Sequence, residues 1–187
     1  MPAAGPVLQC CDPNRAGSVA PVLVFGYGNP SRGDDALGPL LIERLQRIQD
    51  AGQLDGVELL TDFQLQVEHV LDLVGRERVI LADAALDLGE PCLLTPVAPA
   101  QTEAPGPTQA SAEAPRVQTL GWTSHQMTPA ALARLYVSLY GESPPLEQLA
   151  IGAEAVALGT TLSALAERNL TAASTKLLQI LGATSRA

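Results

Sequence analysis

Four side chains stand out for the chemistry they could do: Asp34, Asp35, Asp83 and His125. The first two close the stretch FGYGNPSRGDD, in which an apolar run enters a glycine turn just before a helical pattern. Nucleotide-binding folds begin the same way, with free N–H groups of a helix start facing a phosphate. Carboxylates in that place repel an anion and select a cation. Asp83 closes the apolar run VILAD, and His125 sits in TSHQM, just ahead of another helical pattern. Two hard oxygen donors and one imidazole can hold a divalent first-row metal, and imidazole suits zinc, copper, iron and nickel alike. Three protein ligands would leave coordination positions open for another molecule.

Plainer readings exist for each. An aspartate in the first helical turn is stabilised by the helix dipole, so Asp34 and Asp35 also read as helix-start residues, Asp34 alternatively as support behind the ligands. The two cannot share a proton, because neighbours on a helix point about 100° apart. His69, in QVEHVLD, flanks the apolar stripe of an expected helix and reads as structural. The chain has no GxSxG elbow and no HExxH motif. GYGNPS puts Ser31 where a dinucleotide loop needs its third small residue, and Asp62 is the one acid at the end of the second expected strand. A dinucleotide-binding oxidoreductase is therefore a weak alternative.

The elements that must carry these residues follow from apolar spacing. PVLVFGYG reads as a buried strand, followed by a helix from Asp34 to Gly52 with Leu37, Leu41, Leu45 and Ile48 inward. VELLT is a short strand, and the next segment is expected to be a helix with Val67, Val70, Leu71 and Val74 on one face. RVILADA, residues 78–84, suits a strand buried in a parallel sheet. A helix capped by Thr128, with Pro129 at its first position, should turn Leu132, Leu135, Tyr136 and Leu139 inward. LEQLAIGAEAV supplies a late strand, and residues 160–181 a last helix. This alternation predicts an α/β fold, a single three-layer α/β/α sandwich with a mostly parallel central sheet. Residues 1–20 read as a flexible leader and 21–187 as one domain. The segment 96–118 interrupts it as a disordered loop, since 11 of its 23 residues are Pro or Ala and it lacks apolar bulk.

With 187 residues, 47% of them hydrophobic, the chain can build a full core. A net charge of −9 argues against nucleic acid and anionic membrane surfaces as partners. No stretch reaches the roughly 18 apolar residues of a membrane span, and a cytoplasmic monomer is expected. Cys10, Cys11 and Cys92 form no disulfide framework and read as free thiols, with a zinc site at the adjacent pair as the alternative.

FGYGNPSRGDDALGPLLIERL, VILADAAL and SHQMTPAALARL, in this order, resemble the nickel-iron hydrogenase maturation endopeptidases. The first is similar to that family's GxGNxxxxDDGxG signature, the second to its strand-ending aspartate and the third to its His-Gln element. Together they span roughly residues 21–181. TDFQLQVEHVLDLVG resembles the branch that serves soluble, NAD(P)-reducing hydrogenases. Ala36 departs from the glycine common after the acid pair, and the 96–118 insertion is particular to this chain. The resemblance implies an aspartyl-type peptidase of the cytoplasm that removes a C-terminal extension from the nickel-loaded large-subunit precursor. It carries the catalytic and metal-contacting roles to Asp35, Asp83 and His125, with the nickel borne by the precursor. Whether that nickel polarises the scissile carbonyl, or only positions a substrate that a carboxylate-activated water attacks, stays open. A nickel-sensing chaperone that cuts nothing is the alternative.

Overall fold

A computed structural model describes residues 19–99 and 127–182. Its sheet is built from the apolar runs anticipated above: β1 (Val22–Tyr27), β2 (Val57–Asp62), β3 (Arg78–Leu86) and β5 (Leu146–Ala153), with β4 (Cys92–Pro96) between β3 and β5 in the chain. The order across the sheet is β2-β1-β3-β5-β4. All pairs are parallel except β4 with β5, where Cys92 faces Ile151 and Pro96 faces Glu147. An antiparallel edge strand on a parallel sheet needs only five residues here, too few to produce a period of its own in the sequence.

Helices cover both faces. On one side α1 (Leu37–Asp50) and α3 (Ala164–Leu181) bury Leu37, Leu41, Leu45, Leu170 and Leu177 against Val24, Ile80 and Ile151. On the other, α2 (Pro129–Tyr140) and a 3-10 helix (Val67–Leu73) cover Leu23, Phe25, Val79 and Leu81 with Leu132, Tyr136, Val70 and Leu73. Alternate residues of each strand thus feed opposite layers, as the pleat requires. The expected three-layer α/β/α sandwich is what forms.

Glycine sets how closely α1 docks. A Cβ on Gly38 would lie 2.3 Å from the carbonyl oxygen of Tyr27, and one on Gly26 would lie 2.3 Å from that of Gly38. Any side chain at either position pushes the helix off the sheet and moves the turn that carries Asp34 and Asp35.

Several local expectations change. Val67–Leu73 is a 3-10 helix of three residues per turn, so the i, i+3 pair Val70 and Leu73 goes inward. Leu71, one residue off that line, is 63% exposed, and Val67 at the first position is exposed as well. Leu139 lies in the last turn of α2 on the solvent side. Residues 1–18 of the expected leader, and 100–118 of the expected loop, fall outside the described residues. The loop begins later than position 96, since Pro96 ends β4 and the Val97 N–H donates to Leu146 O at 2.8 Å. The fold also reaches back into the leader, with Arg76 Nη1 donating to Ala20 O at 2.8 Å. Among the described residues no helix is long and apolar enough to cross a membrane.

Candidate active site

From β1 the chain crosses to β2 on one side, and β3 then lies on the other, which makes the carboxyl ends of β1 and β3 the switch point of the sheet. Open α/β sheets bind ligands outside such a point. Gly26 pairs with Ala82, so the last residue of β1, Tyr27, is level with Asp83. Asp83 does not end its strand as expected, because β3 runs on beside β5 to Leu86, but it does lie where β1 stops. It alternates with Val79 and Leu81 and therefore faces the layer of α2.

Between β1 and α1 a 3-10 helix, Gly33–Ala36, delivers the acid pair. The two neighbours do different work. Asp34 is fully buried, and its carboxylate accepts four hydrogen bonds: from the Glu154 and Ala155 N–H groups at 2.8 and 3.1 Å, and from the Ser163 N–H and hydroxyl at 2.7 and 2.8 Å. Burial alone would raise its pKa, but these donors outweigh burial and lower it. Asp34 stands in the first turn of this 3-10 helix, as its helix-start reading expects, but its carboxylate is engaged by a distant loop. It ties the turn after β1 to the connection between β5 and α3.

Asp35 is half-buried and accepts from the Asn29 N–H at 3.1 Å. Burial raises its pKa, against the opposing pull of that N–H and of the Arg32 guanidinium. Asp83 is 6% exposed and accepts from the Ala84 N–H at 2.7 Å. Burial pushes its pKa up to about 8, the charge of Asp35 adds to the rise, and the Ala84 N–H and the Tyr27 hydroxyl draw it down. The structure thus brings Asp35 and Asp83 within electrostatic reach of each other. Burial favours the protonated form of Asp83, and a cation bound between the two acids works against that proton.

His125 lies outside the described residues. Met127, two residues on, packs against the apolar cluster that contains Tyr27. Among the described residues no three His, Cys, Asp or Glu side chains converge to hold a metal. His69 is structural, as expected: its Nδ1 accepts from the Gln66 N–H at 2.9 Å, its Nε2 lies 3.3 Å from the Asp62 carboxylate, and its ring meets Phe25 edge-on at 4.6 Å. Cys92 is a buried free thiol on β4.

The turn does not offer an anion site. The Arg32, Asp34 and Asp35 N–H groups donate to Asn29 O, Ala155 O and Arg32 O, and those of Asn29 and Ser31 donate to the Asp35 and Asn29 side chains. The donors that a phosphate loop would present are used internally, which removes the footing of the dinucleotide alternative.

Two residues of the site were not visible in the sequence. Tyr27 falls inside the expected first strand, and Ser163 inside the expected last helix, 129 positions from its partner, where the structure makes it the cap of α3. Only the register of the sheet and the packing of α3 reveal them.

The fold and the placement of its acids define an open α/β/α protein with two carboxyl groups, Asp35 and Asp83, at the switch point of its sheet. No family profile matches the sequence, and no curated protein matches it. Among solved structures, a NiFe hydrogenase maturation protease, HycI, from Thermococcus kodakarensis is 19% identical, with 87% of this chain and 93% of that one covered and a TM-score of 0.61. The hydrogenase maturating endopeptidase HybD from E. coli is 21% identical over 86% and 91% of the two chains, with a TM-score of 0.63. A hydrogenase 2 maturation peptidase from a Thaumarchaeota archaeon is 20% identical over 87% and 99%, with a TM-score of 0.55. This chain shares their α/β fold.

Proposed function

We propose that this protein is an endopeptidase of nickel-iron hydrogenase maturation, removing the C-terminal extension of the nickel-loaded large-subunit precursor. The observation that carries this reading is the meeting of Asp35 and Asp83 at the switch point, in a fold shared with hydrogenase maturation proteases. The three sequence motifs, in the family's order, support it independently. TDFQLQVEHVLDLVG favours a soluble, NAD(P)-reducing hydrogenase as the source of the precursor.

In this reading the nickel arrives as part of the substrate. Asp35, Asp83 and His125 are its contacts on the protein side, two hard oxygens and an imidazole on a centre that already has its own ligands. The chain's own contribution is to orient the scissile bond beside two carboxyl groups, the half-buried Asp35 and the buried Asp83. Asp35, less buried and restrained by Asn29, is the better placed to take a proton from the attacking water and pass it to the leaving amine, while Asp83, its proton displaced, serves as a nickel contact. A monomer working in the cytoplasm fits this role.

The test is the intact mass of nickel-loaded precursor before and after incubation with the purified protein. Loss of a short C-terminal peptide, absent with Asp35→Asn, is expected. An unchanged mass together with stable association would make the protein a nickel-sensing chaperone instead.

A further inference from the structure

The Tyr27 hydroxyl is a buried polar group that the reaction above leaves unused. The residue is 3% exposed, and its Oη makes no hydrogen bond of full geometry among the described residues. Leaving a buried hydroxyl in that state costs about 1–3 kcal/mol. Phenylalanine would fill the same space and keep the edge contact with the Phe25 ring, 6.1 Å away, without that cost. A tyrosine here is therefore not explained by packing.

Its surroundings say what the hydroxyl is for. Tyr27 ends β1 level with Asp83 on β3, and both side chains lie on the α2 face of the sheet. The Asp83 carboxyl is the polar group that the register sets beside it on the neighbouring strand. One Asp83 oxygen, Oδ1, already accepts from the Ala84 N–H. A donor approaching from β1 fixes the rotation of the carboxyl about its last bond, which one hydrogen bond leaves free. Hydrogen bonds in catalytic sites are often long in the free enzyme and tighten once substrate is bound.

We infer that Tyr27 is a positioning residue for Asp83, its hydroxyl closing onto the carboxyl when the precursor engages and setting which oxygen faces the reacting centre. The role rests on the cleavage reading, but the side-by-side placement of the two residues does not. Groups that orient a ligating or catalytic carboxylate in this way typically carry about 10- to 100-fold of activity.

The test has two arms on the full chain. With tyrosine labelled at 13Cζ, the three tyrosines, Tyr27, Tyr136 and Tyr140, give three resonances, and Tyr27→Phe assigns the first. Asp83→Asn is expected to move the Tyr27 signal and leave the other two in place. In the second arm, Tyr27→Phe is expected to melt no lower than the wild type and to cut nickel-loaded precursor about 10- to 100-fold more slowly, with KM unchanged. An unmoved Tyr27 signal, or Tyr27→Phe cutting at the wild-type rate, overturns the role of Tyr27. Wild-type protein that leaves the precursor intact overturns the cleavage reading, and with it the role of Tyr27 in cutting, while the resonance still reports whether the contact exists.

Discussion

Asp34 and Ser163 are joined twice: the Asp34 carboxylate accepts the Ser163 N–H at 2.7 Å and its hydroxyl at 2.8 Å. The same hydroxyl oxygen accepts from the Ala166 N–H at 3.0 Å and so caps α3. One carboxylate therefore couples the turn after β1 to the start of the last helix. Asp34→Asn puts an amide donor against donors and should cost roughly 2–4 kcal/mol, whereas Ser163→Ala should cost about 1–2 kcal/mol. Because the pKa of Asp34 is lowered in the fold, its stabilisation is present above the unfolded value, near pH 4, and is lost as pH falls through the folded value. Urea melts should show the gap between wild type and Asp34→Asn at pH 7 narrowing below about pH 4. A gap that persists unchanged in acid would mean that the carboxylate charge is not what binds the loop.

Asp83 has the opposite sign. Its folded pKa, about 8, lies above the ordinary carboxyl value, so the native state holds a proton that the unfolded chain releases. Stability from this group is full below about pH 4 and declines as pH rises to about 8. Asp83→Asn removes the penalty. The variant should match the wild type near pH 4 and exceed it at pH 8 by at least about 1 kcal/mol, or roughly 2–4 °C in Tm for a chain of this size. Cleavage should be lost at both pH values. A variant less stable than wild type at pH 8 would place Asp83 among the residues that hold the fold rather than those that burden it.

His69 provides the contrast. His69→Gln gives up the ring contact with Phe25 and the pairing with Asp62, and should lower stability by about 1 kcal/mol. Precursor cleavage should stay within about twofold of wild type, because nothing on the ring reaches Asp35 or Asp83 by the contacts it makes. Complete loss of cutting in a folded His69→Gln protein would move this histidine into the site.

What the sequence showed and what it hid follow a physical line. Apolar periods gave β1, α1, β3 and α2, because one face of each is buried and the pattern records it. Asp35 and Asp83 were visible because an acid at the end of an apolar strand, or in a glycine turn, has no reason to be there on packing grounds. Asp34 looked like its neighbour, since composition cannot tell a carboxylate that faces solvent from one that accepts four bonds from a distant loop. Leu71 turns outward because the chain takes three residues per turn where apolar spacing suggests 3.6, and Val67 is exposed because it opens the helix. Tyr27 was hidden by its own hydrophobicity, and its level with Asp83 depends on strand register, a property of two segments at once.

The last prediction concerns where the metal resides. A permanent catalytic zinc is ordinarily held by three protein ligands rich in nitrogen or sulfur. Asp35, Asp83 and His125 offer one imidazole and two carboxyls, and burial raises the pKa of both acids, Asp83 to about 8, so a free cation must displace a proton to bind. A nickel ion already seated in a precursor brings its own ligands and needs only these three to complete its contacts. The isolated protein should therefore purify without stoichiometric metal, keep full activity after chelator is added and removed, and cut only precursor that carries nickel. Metal analysis by mass spectrometry and cleavage of nickel-free precursor check both halves. Tightly bound zinc at one equivalent, with nickel-free precursor cut at the same rate, would make the metal the enzyme's own and end the role of nickel as part of the substrate.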